Sequence, residues 1–139
     1  MHFTASATAA ASKAACWSVL TDVADWPNWT ASITSVTPVD EPGLAVGRRY
    51  RLEQPGMPAL TWTVTTLEEG ASFDWEARSP GVRTVGWHRL TADGEGTRID
   101  VGVRQTGPLA WLVGLLAGGK TRRFIAMEAA GLKAAGESR

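Results

Sequence analysis

Three tight turns in the middle of the chain do most to restrict its fold. Glu69-Gly70, Pro80-Gly81 and Asp93-Gly94-Glu95-Gly96 each separate two segments rich in β-branched and aromatic residues. Short glycine-containing loops of this kind join antiparallel strands. Each turn also fixes a register that side-chain chemistry can test. Pairing Ser79 with Val82 sets Phe73 opposite His88 and Trp75 opposite Gly86. Pairing Ala92 with Thr97 sets His88 opposite Val101, Gly86 opposite Val103 and Thr84 opposite Gln105. Pairing Glu68 with Ala71 sets Val64 opposite Trp75 and Trp62 opposite Ala77. All three agree on one largely apolar face. The opposite face holds Thr61, Thr63, Asp74, Glu76, Arg78, Arg83, Arg89, Arg98, Asp100 and Arg104, with Arg89 opposite Asp100 as an expected ion pair. An antiparallel sheet with one dry side and one wet side follows. Trp87 breaks the alternation by pointing outward.

The flanking segments add the remaining elements. Residues 2–10 alternate weakly and read as a first strand. Ser12 is a candidate N-cap for a helix over 13–21, with Asp22–Asp25 as a second short helical turn stopped by Pro27. Ile33–Val39 and Arg48–Gln54 read as strands, the latter with Tyr50, Leu52 and Gln54 inward. From Pro108 to about Ala135 the pattern is helical. Leu109, Leu112, Val113, Leu116, Phe124, Met127, Gly131 and Ala134 form the expected buried stripe, with Arg122, Glu128 and Lys133 turned away from it. Gly118-Gly119 predicts a kink or a mobile segment, and Gly114 and Gly118 would let the sheet or a partner come close.

Composition narrows the function classes. The 139 residues carry 14 Lys plus Arg and 14 Asp plus Glu, so net charge gives no reason to expect nucleic acid or an anionic membrane as a partner. One cysteine, Cys16, and two histidines, His2 and His88, cannot build a disulfide or a metal cluster, and no cofactor is expected. The longest apolar run, Leu109–Ala117, is too short to span a bilayer, so no stable membrane insertion is predicted. The Ala-rich start lacks the features of a secretory signal, which predicts a cytoplasmic protein. No nucleotide-binding glycine fingerprint, Ser/His/Asp constellation or zinc spacing is present.

The sequence contains seven Trp, a residue that lines cavities as readily as it fills cores. Trp62, Val64, Trp75, Val101 and Val103 on the sheet, with Leu112, Leu116 and Met127 on the last helix, are the expected lining of an apolar pocket. Thr84, His88 and Gln105 are its polar members, and Trp29, with Trp26, is a candidate rim. His88 is the sharpest of these. An inward imidazole can hydrogen-bond a ligand carbonyl or act as a general base, although the plainer reading is a core histidine bonded to a backbone carbonyl. No acid falls beside it on the same face, so no His–carboxylate pair is predicted.

The element order and the motifs Trp17-Ser-Val-Leu-Thr-Asp22, Asp25-Trp26-Pro27, Trp29, Gly47-Arg-Arg-Tyr50, Trp75-Glu76, Ser79-Pro80-Gly81, His88-Arg89-Leu90 and Gly96-Thr97 resemble the SRPBCC (START-like) superfamily, in its polyketide cyclase/dehydrase and lipid-transport branch. That resemblance covers about residues 3–135. It implies one domain over 1–139 with an α+β helix-grip fold: a curved sheet of about seven antiparallel strands wrapped around a long C-terminal helix, with an internal cavity. It further implies binding of a small hydrophobic molecule such as a lipid, polyketide or aromatic metabolite. A cyclase or dehydratase acting on a ligand held in the cavity is the alternative. A protein-interaction module using Trp87 and the apolar start of the last helix is a second alternative. Whether the protein is an enzyme or a homodimer is left open.

Overall fold

The computed structural model describes residues 1–139. Its strands are β1 (His2–Ala9), β2 (Ser35–Pro38), β3 (Arg49–Glu53), β4 (Leu60–Glu68), β5 (Ser72–Ser79), β6 (Val82–Asp93) and β7 (Gly96–Thr106). They form one antiparallel sheet in the order β1-β7-β6-β5-β4-β3-β2. Helix α1 (Lys13–Thr21) and a 3-10 helix (Val23–Asn28) follow β1, and helix α2 (Ala110–Glu137) closes the chain. This is the α+β helix-grip fold, with α2 held by a curved sheet.

The β5–β6 and β6–β7 registers are those the turns predict, including Phe73 opposite His88 and His88 opposite Val101. The β4–β5 hairpin differs near its turn, where Glu68 pairs with Ser72 and Leu67 with Phe73. A bulge between Val64 and Thr66 absorbs the offset, so Val64 still faces Trp75. A bulge inserts one unpaired residue and restores the alternation beyond it. Arg89 does lie opposite Asp100, but Asp100 takes its salt bridge from Arg98 at 3.1 Å and accepts a hydrogen bond from the Ser6 hydroxyl. The Arg89 guanidinium instead sits 5.2 Å from the centre of the Trp87 ring. Trp87 points outward as expected, yet it is half-buried. It lies over Gly102, and its indole N–H donates to His2 Nε2 at 3.2 Å.

Helix α1 begins where Ser12 Oγ accepts from the Ala15 amide at 3.1 Å, satisfying one of the free donors of its first turn. It buries Cys16, Trp17, Val19 and Leu20. Pro27 lies inside the 3-10 helix and does not end it before that point. Only Asn28 follows it, so the proline stands at the end of the element.

The inward phase of α2 differs from the expected stripe. Its buried residues are Ala110, Gly114, Gly118, Phe124, Ile125, Ala129, Leu132 and Gly136. Leu116 is 77% exposed, and Leu112 and Met127 are only partly covered. The helix approaches the sheet through small residues. A Cβ on Gly118 would stand 3.3 Å from the Phe3 ring, and one on Gly136 would stand 2.9 Å from Cys16 Sγ. The glycines predicted to kink α2 lie within one uninterrupted helix. Gly114 and Gly118 serve close packing on Met1 and Phe3.

These contacts separate two glycines of one helix. Nothing lies within 4 Å of a Cβ at Gly119, whereas one at Gly131 would strike the Trp29 carbonyl oxygen. Gly119→Ala is expected to raise stability by about 1 kcal/mol. Gly131→Ala should lower it by about 1–3 kcal/mol. Urea unfolding of both variants checks the pair. Cys16 is fully buried, and burial pushes its thiol up from the ordinary cysteine range. Since the thiolate is the reactive form, a disulfide reagent should label Cys16 only as fast as the protein opens. Fast labelling under native conditions would contradict the packing of α1 against α2.

Candidate ligand-binding cavity

The inner face of β5 and β6 carries a cluster of rings centred on His88. Phe73 stacks on the imidazole at 4.2 Å between centroids and 16° between planes. Trp26 and Trp75 meet it edge-on at 5.5 and 5.7 Å. Trp26 and Trp75 also pack on each other at 5.2 Å, and Trp62 extends the row 5.6 Å from Trp75. Such tilted contacts suit the ring quadrupoles. Trp26 is anchored by its indole N–H, which donates to the Leu20 carbonyl at 3.0 Å. It is 1% exposed, so it plugs the interior and forms no rim. Trp29 packs beside it at 5.6 Å and lies against Gly131, away from the cavity lining.

His88 Nδ1 lies 3.1 Å from the Phe73 carbonyl oxygen. A carbonyl only accepts, so Nδ1 carries the proton and Nε2 is the free end of the ring. Nε2 faces Glu128 Oε1 of α2 at 3.0 Å, with both side chains largely buried. This pair corrects the expectation that no acid accompanies His88. The acid comes from the helix packed over the sheet, not from the sheet face itself. The contact has ion-pair distance without hydrogen-bond alignment, and Oε1 has no other partner.

Between this cluster and α2 lies a cavity of about 110 Å³. Of the residues expected to line it, Trp62, Trp75, Thr84, His88, Val101, Val103 and Gln105 do so. Val64 is buried in the adjoining core, outside the lining. Leu112, Leu116 and Met127 are also outside it, because α2 turns Thr121, Phe124, Ile125 and Glu128 inward instead. Leu52, Gln54, Met57 and Leu60 line the side formed by β3, β4 and their connecting loop. That loop is tied to α2 by Lys120 Nζ, which donates to the Gly56 carbonyl at 3.1 Å. Gly86 keeps the middle of the sheet open. A Cβ there would stand 2.9 Å from Trp75 Nε1.

Three polar atoms of the lining are buried without a hydrogen-bond partner: the Trp62 indole N–H, Gln105 Oε1 and Glu128 Oε1. Most buried polar groups in proteins are paired. All three belong to residues of an otherwise mainly apolar lining. No group of acidic, histidine or cysteine side chains here could hold a metal ion, and no helix is long and apolar enough to cross a membrane.

Solved structures share this architecture at low sequence identity. A hypothetical protein, jhp0584, from Helicobacter pylori superposes with a TM-score of 0.80 at 15% identity, covering 96% of this chain and 86% of that one. TTHA0849 from Thermus thermophilus gives 0.78 at 15% identity, covering 99% and 98%. Ara h 8.0201 gives 0.66 at 17% identity, covering 95% and 97%. At such identities the likeness is one of fold. No curated protein matches the chain. The family model described as polyketide cyclase / dehydrase and lipid transport matches residues 1–137, and the chain belongs to that family within the SRPBCC superfamily.

Proposed function

We propose that the protein binds a compact, mainly apolar molecule in the cavity between its sheet and α2. The observation that carries this reading is the cavity lining itself, mainly apolar with Gln54, Thr84, His88, Gln105, Thr121 and Glu128 as its polar members. An apolar pocket with a few convergent polar groups is the usual composition of a small-molecule site. The volume of about 110 Å³ bears on the ligand's size. It approaches the roughly 150 Å³ that encloses a benzene ring. It falls below the roughly 300–1,000 Å³ of sites for larger ligands. A single-ring aromatic metabolite with a carbonyl or hydroxyl therefore suits the site better than a long-chain lipid or an extended polyketide. The ligand's carbonyl would accept from Trp62, and its hydroxyl would donate to Gln105 or Glu128.

The His88–Glu128 pair favours a second reading, an enzyme of the cyclase or dehydratase type. A base held in one tautomer by the Phe73 carbonyl and shielded from water can take a proton from carbon beside a ligand carbonyl. Orientation in the narrow cavity would supply the rest.

Native mass spectrometry of the freshly purified protein tests the binding reading. A small adduct that disappears on denaturation is expected, and it should be weaker or absent in Trp62→Phe. Each lost hydrogen bond should weaken binding about five- to tenfold. Gln105→Met should weaken binding similarly while leaving thermal stability unchanged or higher, because it removes an acceptor that has no partner. Variants that bind as tightly as the wild type would contradict the assignment. His88→Ala and Glu128→Gln separate the two readings. Retained binding with lost turnover identifies an enzyme, whereas weakened binding with no turnover in the wild type identifies a binding protein.

A further inference from the structure

The N-terminal half of α2 exposes an apolar face that the cavity does not explain. Leu109, Trp111, Leu115 and Leu116 are 41%, 62%, 73% and 77% exposed. Trp111 and Leu115 are one turn apart, and Leu116 lies on the adjoining row one turn beyond Leu112. The adjoining face of the same turns is held against Met1 and Phe3 by Gly114 and Gly118. The apolar face is thus fixed outward by packing. Soluble proteins seldom leave a contiguous face of this kind without a partner.

The charge around it is one-sided. Between Asp100 and Glu128 the chain has four cations, Arg104, Lys120, Arg122 and Arg123, and no acid. Arg122 and Arg123 are exposed one to two turns beyond the leucines, with their guanidinium groups at 5.2 Å from the Phe3 ring and 5.7 Å from the Phe124 ring. Neither has a carboxylate partner. Lys120 sits between them and the apolar face, bonded to Gly56 at the loop beside the cavity. The zero net charge of the whole chain hides this local excess.

We propose that this half of α2 docks reversibly on an anionic lipid surface. Trp111, Leu115 and Leu116 would enter the interface, and Lys120, Arg122 and Arg123 would lie at headgroup level. Apolar side chains followed by basic ones along one helix are the pattern of an interfacial helix. A second copy of the chain fits less well. A second copy presents the same apolar and cationic side chains, with no acid on α2 before Glu128, so it offers these cations no complementary charge. Docking of this kind buries one helix face without spanning the bilayer, and it does not depend on what the cavity holds.

Sedimentation with phosphatidylcholine vesicles, with and without phosphatidylserine, tests the proposal. Binding should be about a hundredfold tighter when phosphatidylserine is present, the scale set by three cations at an anionic surface, and high salt should remove that advantage. Leu115→Asp/Leu116→Asp and Arg122→Gln/Arg123→Gln alter exposed positions, so both should fold normally by circular dichroism and lose vesicle binding. Gln105→Met, inside the cavity, should keep it. Equal binding to both vesicle types would overturn the electrostatic part. No binding to either, whether the protein is a monomer or a dimer broken by the Leu115→Asp/Leu116→Asp change, would overturn the proposal, and such a dimer would assign the face to a second copy.

Discussion

How closely α2 can approach the sheet governs the rest of the structure. Toward its start, Gly114 and Gly118 let the helix settle on Met1 and Phe3. Toward its end, Gly131 and Gly136 let it settle on Trp29 and Cys16. Between them, Thr121, Phe124, Ile125 and Glu128 face a sheet whose own centre is opened by Gly86. Close contact at both ends with larger residues in the middle leaves a space that the surrounding rings do not fill. Protein interiors are otherwise packed to crystal-like density, so a persistent void needs this kind of rigid frame. Trp26, locked to Leu20 and wedged among Phe73, Trp75 and His88, supplies the wall that keeps the space from collapsing.

The same geometry explains why a histidine and a glutamate meet in an apolar interior. Glu128 projects from the middle of α2 directly onto His88 of β6. Burying either group alone would carry a large desolvation penalty, and pairing offsets part of it. The imidazole is further held by Phe73, through its ring on one side and its carbonyl on Nδ1. The pair thus links the helix to the sheet at the point where they stand apart, next to the unpartnered Trp62 and Gln105 atoms. Structural and chemical roles coincide in one contact, and a molecule entering the cavity would meet both at once.

The sheet is legible in the sequence because two independent signals coincide there. Turn length fixes which residues pair, and period-two alternation fixes which face is dry. Thr84, His88, Val101, Val103 and Gln105 therefore fall on the lining as the hairpins require. The bulge at Thr65 is not legible, since it shifts the turn and restores the register within one strand. The helix phase is obscured for a different reason. Hydropathy alone sends the large side chains to the interior, whereas proximity to the sheet selects Ala110, Gly114, Gly118, Ala129 and Gly136. That row of small residues at helical spacing is the signal that the sequence does carry. Following it turns Leu116 outward and brings Glu128 toward His88.

The indole N–H signals of the seven Trp residues offer the most direct test of the cavity, read by nuclear magnetic resonance during titration with a small aromatic carbonyl compound. Trp62 lines the cavity and its N–H has no partner, whereas the Trp17 N–H is already bonded to Glu69 at 3.1 Å and that of Trp87 to His2 on the outer face. A saturable downfield shift of the Trp62 signal, with Trp17, Trp87 and the exposed Trp111 unmoved, is the predicted result. Shifts confined to Trp87 and Trp111, or no saturable shift with any such compound, would contradict a ligand site between the sheet and α2.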